Sequence, residues 1–262
     1  MDIGLILYFI IIIVLIVLVF KMIKKIVFAI ITSVIIVLLS LVAIAGLVYL
    51  DVQDLTQTED ATINVAYMLN DEFHTGITFP FSTEEELEIS DVNTLTSQQF
   101  ESNINSDEEV FTILIYRDVF DIIEDRTISI NELLGDDSIS VMTSDDIGIP
   151  VSSVRTVLDS PNPREELTSI LLESLELGSE LEEMARPLIQ SALDEVETQQ
   201  GLDLHSISLG LLLNELVQDD SNLVDIFVEF QNDNIEILPS RISFTLLKYL
   251  PVGIVKNFIE GD

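Results

Sequence analysis

Cysteine is absent from this 262-residue chain, and glycine is scarce, with only 10 residues. The lack of cysteine excludes a disulfide framework, a thiolate metal site and a cysteine nucleophile. The sequence contains no Walker-type loop, no Gly-x-Gly-x-x-Gly loop for phosphate and no Gly-x-Ser-x-Gly nucleophile elbow. These absences indicate no cofactor and no metal site, and they favour a non-enzymatic protein over an enzyme.

Basic residues are also rare, with 11 Lys and Arg against 46 Asp and Glu and a formal net charge of −35. After residue 50 lie 45 of the acidic side chains and 8 of the basic ones. Such a negative field excludes nucleic acid as an ordinary partner and repels anionic lipid headgroups. The acid is scattered along the chain, a pattern typical of halophilic proteins in molar salt. A cation-binding or acidic disordered module is the alternative, although the apolar content argues against disorder.

Charge is missing altogether from two long apolar runs, residues 3–20 and 26–50. Each run is long enough to cross a bilayer core of roughly 30 Å as a helix. Inside lipid the backbone must satisfy its own hydrogen bonds, which a helix achieves. Residues 1–50 are therefore predicted to form a transmembrane helical hairpin, with a buried core helix as the alternative for each run.

Three lysines between these runs predict the orientation of the hairpin. Lys21, Lys24 and Lys25 are the only Lys or Arg residues before Arg117. Positively charged loops tend to remain on the cytoplasmic side. We therefore expect a two-pass protein of the cell membrane, with the N-terminus and everything after residue 50 extracytoplasmic.

Two other readings of the N-terminal part lead to the same side of the membrane. A start at Met22 would give a signal anchor with the remaining chain outside, and cleavage after Ala45 would release it there. Apolar residues continue past Ala45, which favours an uncleaved anchor. The runs contain no Asp, Glu, His, Lys or Arg, so conduction by these two helices alone is not expected.

An acidic stalk is predicted at residues 51–61, followed by an α+β outer domain at 62–262 that is β-rich at 62–130. Alternating apolar residues on either side of Asn70-Asp71 predict a β-hairpin that ends at Pro80. Each strand is predicted to place four side chains on one face: Ile63, Val65, Tyr67 and Leu69 on the first, and Phe73, Thr75, Ile77 and Phe79 on the second.

The following residues predict shorter elements. Residues 82–107 should be a long loop with short helical pieces, 109–116 a central strand, 119–123 one or two helical turns and 126–130 a strand. A short helix from Asn131 to Gly135 and a loop at 136–150 complete this part. The loop carries Asp136, Asp137, Asp145 and Asp146, which we interpret as surface acid rather than calcium ligands because the EF-hand order is missing.

Residues 162–231 have the period of helices. Asn162, Pro163 and Glu165 predict a helix start, and Ser179 with Glu182 predicts a capping box for a second helix that Pro187 should kink or break. Helices near 209–217 and 223–230 follow. The second helix is predicted to bury a stripe of eight residues: Leu181, Met184, Ala185, Leu188, Ile189, Ala192, Leu193 and Val196.

The end of the chain, residues 235–259, predicts two short strands and a helix. Residues 235–238 and 242–244 have β-branched or aromatic residues around Pro239. The apolar segment 246–259 contains Lys248 and Lys256, which leaves open a membrane-surface helix. We favour packing against the sheet.

The two histidines, His74 and His205, lack metal-ligand spacing and are interpreted as packing or surface residues. Catalytic groups converge only in space, so a hydrolase stays open. A cleft that joins either histidine to two or more carboxylates would favour it.

Two stretches resemble uncharacterised archaeal membrane-anchored proteins with a halophile-like acidic outer domain: GLVYLDVQDL at 46–55 and IEILPSRISFTLLKYLP at 235–251. The resemblance covers the layout of the chain and implies no activity and no functional residue.

We therefore expect a membrane-anchored cell-envelope protein with an extracytoplasmic binding or interaction domain. Its expected partners are the lipid bilayer and a protein of the envelope. The alternatives are a membrane-tethered hydrolase or metal-dependent enzyme that uses carboxylates, and an accessory subunit of a secretion or transport complex.

Overall fold

The computed structural model describes residues 42–44, 46–50, 62–80, 92–105, 110–129, 148–175 and 179–260. The chain forms two compact units, Met1–Asp51 and Val52–Asp262. In the first unit, residues 42–44 and 46–50 are helical. The second unit has the predicted α+β class, with a mixed sheet and several helices.

Within the described ranges, no helix combines the length and the apolar character that crossing a bilayer requires. The predicted spans 3–20 and 26–50 lie entirely or mostly outside those ranges, as do Lys21, Lys24 and Lys25. The transmembrane hairpin and its orientation therefore stay predictions.

The second unit contains the following elements in chain order. The strands are β1 (Thr62–Leu69), β2 (Glu72–Pro80), β3 (Asn93–Thr94), β4 (Phe111–Tyr116), β5 (Thr127–Ser129), β6 (Gly148–Pro150) and β7 (Ile235–Leu238). The α-helices are α1 (Ser97–Asn105), α2 (Val151–Asp159), α3 (Pro163–Ser174), α4 (Ser179–Gln200), α5 (Leu204–Val217), α6 (Asn222–Gln231), α7 (Ile242–Leu247) and α8 (Val252–Glu260). A 3₁₀ helix, Arg117–Ile123, follows β4.

The predicted hairpin is confirmed as β1 and β2. Asn70 and Asp71 have positive φ angles of 53° and 65°, the backbone that a two-residue type I′ turn requires. Asn and Asp adopt this conformation more readily than other residues with a side chain. The turn therefore sets the antiparallel register in which Leu69 faces Glu72.

The main sheet has the order β3-β2-β1-β4-β7. β1 is antiparallel to β2 and parallel to β4, and β7 is antiparallel to β4. β4 is thus an interior strand, as predicted for residues 109–116. β5 and β6 form a separate two-stranded sheet.

Both faces of the sheet are buried, but to different depths. One face carries Val65, Tyr67, Ile77 and Ile115 and packs in the main core with α2 to α6. The opposite face carries a small cluster of Ala66, Met68, Leu95, Phe100 and Leu114. The helical face therefore holds most of the apolar packing and positions the sites described below.

A β-bulge corrects the predicted position of Phe73. The register shifts between Tyr67 and Met68, so that Tyr67 faces Thr75 and Met68 faces Phe73. His74 is the additional residue, since a bulge places two residues opposite one. Phe73 consequently stacks on Phe100 with ring centroids 4.6 Å apart, away from the face of Thr75.

Residues 242–244 are helical, so the predicted second strand near the end of the chain is wrong. They belong to α7, and Phe244 and Leu247 both pack against the main core. These two residues are three apart, which places them on one side of a helix. The preceding strand, β7, is confirmed, and it occupies the outer edge of β4.

The helical part is largely as predicted, with three differences. α2 was not predicted, although Val151, Val154 and Val157 recur at helical spacing and are buried. α4 runs unbroken through Pro187, so no break occurs near Arg186. The stripe of α4 is only partly buried: Leu181, Met184 and Leu188 are exposed by 55%, 69% and 57%.

Candidate functional site: a histidine cluster and an apolar cavity

The fold brings His74 and His205 together at the C-terminal end of α2. Their ring centroids are 4.9 Å apart at an interplanar angle of 78°. His74 Nε2 donates a hydrogen bond to the carbonyl oxygen of Leu158, and His205 Nε2 donates to that of Ser160, both at 2.8 Å. A carbonyl only accepts, so each ring carries a proton on Nε2. The two donors satisfy carbonyls that the end of a helix leaves unpaired.

Asp159 lies between these two carbonyls in sequence and has its own partners. Its carboxylate accepts a hydrogen bond from the Tyr67 hydroxyl at 2.6 Å and forms an ion pair with Arg117 Nε at 3.0 Å. Tyr67 is fully buried. Burial and the contact with Asp159 raise the pKa of the Tyr67 phenol far above its ordinary range. The phenol is therefore a permanent donor that fixes the Asp159 carboxylate.

Among the described residues, no hydrogen bond or ion pair joins either histidine to a carboxylate. The histidine protons point to backbone carbonyls, and the Asp159 carboxylate is held by Tyr67 and Arg117. Within the described part of the chain, no group of three or more His, Cys, Asp or Glu side chains is placed to hold a metal ion. These contacts join the hairpin, the end of α2 and the start of α5, which indicates a structural role.

An apolar cavity of about 1010 Å³ lies on the helical face of the sheet. One wall is the sheet, which contributes residues that alternate along four strands. The volume reaches the upper end of the roughly 300–1,000 Å³ range of small-molecule sites. The sheet residues that line it are Val65, Ile77, Phe79, Ile113, Ile115, Ile235 and Ile237.

The opposite wall is formed mainly by α5 to α8 and is almost entirely aliphatic or aromatic. Gly210 lies in the middle of α5, and a methyl group added there would meet no heavy atom within 4 Å. A glycine at this position therefore leaves open space beside the sheet. The apolar residues of this wall are Leu202, Ile207, Leu211, Leu213, Leu216, Val217, Leu223, Ile226, Phe227, Phe230, Phe244, Leu247, Val255 and Ile259.

Only three polar side chains appear among the described residues that line the cavity, and all are uncharged: Gln200, Ser206 and Asn214. Ser206 is fully buried, and its hydroxyl donates to the Gly76 carbonyl at 3.3 Å. Asn214 is exposed and Gln200 is half-buried. The polar groups that a ligand can reach are therefore neutral amides.

Polar contacts fix the joint between α7 and α8, which closes one side of the cavity. Gln231 Nε2 at the end of α6 donates to the carbonyls of Lys248 at 3.0 Å and Leu250 at 2.6 Å. Lys248 also pairs with Asp233 and lies 5.1 Å from the centre of the Phe230 ring. The wall formed by α7 and α8 is thus attached to α6 at several points.

Residues 246–259 are divided between α7 and α8 rather than forming one helix. Val255 and Ile259 line the cavity, and α8 packs against α6. Packing against the sheet and a membrane-surface helix both stay predictions for this segment. Tyr249, at the joint, is 79% exposed.

Sequence reasoning missed the cavity because its walls come from strands and helices that are distant in the chain. One signal was available in α5, where Leu209, Leu211, Leu212, Leu213 and Leu216 surround most of the helix axis. A helix that is apolar on most sides packs on more than one surface. Asp136, Asp137, Asp145 and Asp146 lie outside the described residues.

Comparisons with protein families, with curated proteins and with solved structures find no match for this chain.

Proposed function

We propose that this chain is a membrane-anchored cell-envelope protein whose acidic outer domain binds an apolar ligand. The support for the anchor is the pair of uncharged runs at 3–20 and 26–50. Lys21, Lys24 and Lys25 support a hairpin with its loop in the cytoplasm and both termini outside.

The single observation that carries the binding role is the apolar cavity on the helical face of the sheet. A compact domain normally fills such a volume with side chains, because interiors are packed about as densely as organic crystals. Here Phe79 and Phe227 are only partly buried and line open space of about 1010 Å³. Filling this space with an apolar molecule removes their apolar surface from water.

The acidic composition supports a halophilic setting for this domain, and the resemblance of residues 46–55 and 235–251 implies an archaeal one. At a net charge of −35 the self-repulsion opposes a compact fold, and salt shortens its range to about 3 Å at about 1 M. We expect the unfolding free energy to increase with salt. An equal stability in dilute buffer and in molar salt would contradict this part of the proposal.

The binding role is tested by filling the cavity from within. Gly210→Phe places a ring in the open space next to α5, and we expect it to reduce ligand capture in the cavity about tenfold or more. The full chain in bilayer nanodiscs is photolabelled with an uncharged long-chain alcohol that bears a diazirine. Labelled peptides are then identified by mass spectrometry, which separates capture in the cavity from dissolution in lipid.

Gly253→Phe is the matched control. Gly253 is exposed in α8, does not line the cavity and also has no heavy atom within 4 Å of an added methyl group. Both variants replace a helical glycine by the same residue, so they share the change in helix propensity. Labelling that is equal in wild type and Gly210→Phe would refute a ligand in this cavity.

A further inference from the structure

The chemistry of the cavity narrows the class of ligand, given the binding role proposed above. We infer that the cavity takes an uncharged molecule with a long hydrocarbon body and one neutral polar end, such as an alcohol. We further infer that it discriminates against the corresponding carboxylate. The inference rests on two features of the lining. The inner part, next to the sheet and Ser206, is apolar, and the edge of the cavity carries the neutral amides of Asn214 and Gln200.

Among the described residues that line the cavity, Ser206 carries the only buried hydroxyl. This hydroxyl already donates to the Gly76 carbonyl and lies 3.4 Å from the Thr75 hydroxyl. A polar ligand atom next to this wall would lose its hydrogen bonds to water without replacement. The inner part is therefore matched to hydrocarbon.

The edge of the cavity at α5 offers an amide. Asn214 is exposed and lines the cavity, so a ligand can reach its side-chain amide. An amide both donates and accepts, so it suits a hydroxyl or carbonyl group. Gln200 offers the same chemistry at the end of α4.

A carboxylate at this edge would find no available cation on α5. The neighbouring Glu215 is itself acidic, and the guanidinium bonded to it belongs to Arg126. Arg126 is already shared with Asp219 at 2.9 Å and Asn222 at 3.0 Å. An anionic ligand end would therefore gain no ion pair on α5, in a chain with a net charge of −35.

The test compares two photoreactive probes that differ only at the polar end. A diazirine-bearing long-chain alcohol and the carboxylic acid of the same chain are offered to the full chain in nanodiscs. The pH is mildly alkaline, so that the acid is ionised. We expect about tenfold more labelling of peptides from α5 and α6 by the alcohol, which is the ratio that a difference of one strong polar contact produces.

A variant with an added positive charge should reverse the discrimination against the acid. Asn214→Lys places a cation at the edge of the cavity, and we expect labelling by the acid to rise about tenfold. Asn257→Lys adds the same charge at an exposed position of α8 outside the lining, and the preference for the alcohol should persist.

Each outcome separates this inference from the proposed function. Cavity labelling by the acid that equals or exceeds that by the alcohol, and that is lost in Gly210→Phe, would overturn the neutral-ligand inference and leave a binding cavity. A failure of both probes to label α5 and α6 would overturn both proposals. If Asn214→Lys prefers the alcohol as strongly as the wild type does, the polar edge does not discriminate between alcohol and acid. This result would also overturn the inference.

Discussion

At the scale of single residues, Tyr67 shows how a buried side chain can stabilise a carboxylate, that of Asp159, at the border of the apolar core. Its hydroxyl donates to Asp159 from a fully buried ring, and Arg117 approaches the same carboxylate from the more exposed side. A buried phenol without a partner would cost free energy, and a partly buried carboxylate would too. Each group therefore supplies what the other needs, and the pair joins β1 to the end of α2.

Tyr67→Phe removes this donor while keeping the ring. We expect the free energy of unfolding at neutral pH to fall by about 1.5–3 kcal/mol, the usual range for a hydrogen bond to a charged group. The measurement is denaturant unfolding of the full chain followed by circular dichroism. Tyr249→Phe, at a position that is 79% exposed, should change stability by less than about 0.5 kcal/mol.

The same variant changes the response to alkaline pH. The pKa of the Tyr67 phenol is raised in the folded protein, so its stabilising effect is complete below the unfolded value of about 10 and is lost as the pH rises further. Above that pH the wild type should lose about 1.4 kcal/mol per pH unit more than Tyr67→Phe does. Parallel alkaline unfolding curves for the two proteins would contradict the assignment.

At the scale of elements, the bulge in the hairpin is what brings the two histidines together. His74 is the additional residue of β2 and lies between Phe73, the partner of Met68, and Thr75, the partner of Tyr67. The imidazole ring of His74 reaches the Leu158 carbonyl and the ring of His205. Without the additional residue, the ladder would keep strict alternation. The end of α2 is therefore held by one donor from the sheet and one from α5.

This arrangement predicts that the two histidines are energetically coupled. His74→Ala and His205→Ala should each lower the unfolding free energy by about 1–3 kcal/mol, since each leaves a helix carbonyl without its donor. The double variant should deviate from the sum by at least about 0.5 kcal/mol, because the rings are in contact. A thermodynamic double-mutant cycle measures this coupling.

Variants that keep a ring provide the control for this cycle. His74→Phe and His205→Phe retain ring-to-ring contact but lose the Nε2 proton, so they isolate the hydrogen bonds. If the alanine effects are additive, the ring contact has no energetic role and the cluster is two independent caps.

Elements with a local signal were predictable from the sequence, and elements fixed by distant contacts were not. The alternation around Asn70-Asp71 gave the hairpin, and the Pro163 start gave α3. The bulge at His74 has no local signal, because it is set by what lies opposite the strand. Residues 242–244 have strand-like composition, but Phe244 faces the core as part of a helix.

The candidate site was less accessible to sequence reasoning than the fold. The residues of the cavity were assigned correctly to strands and helices in many cases, yet nothing local distinguishes a packed wall from an open one. Gly210 is the exception in principle, since a glycine within an apolar helix removes side-chain volume. Its effect depends on Ile77 and Ile113, which lie far away in sequence.

At the scale of the whole molecule, the absence of cysteine makes the orientation directly testable. Met22→Cys introduces a single thiol in the lysine-rich loop, and Asn257→Cys introduces one at an exposed position of α8. In intact cells, a membrane-impermeant maleimide should label the second variant only. Permeabilised cells should show labelling of both, since positively charged loops stay in the cytoplasm.

The cysteine-free parent chain is the control for background labelling. The reverse pattern, with the loop thiol labelled in intact cells, would contradict the proposed orientation. Release of a shortened, labelled Asn257→Cys protein from the membrane would contradict the uncleaved anchor.

The order of strands has a consequence for how the domain is made. β4 is flanked by β1, which is synthesised before it, and by β7, which follows helices α2 to α6 in the chain. At about 5–20 residues per second, synthesis reaches β7 on the order of ten seconds after β4. During this interval the apolar edge of β4 has no strand beside it, and such edges recruit other chains. We therefore expect aggregation during synthesis to depend on the time between β4 and β7 more than on the stability of the finished sheet.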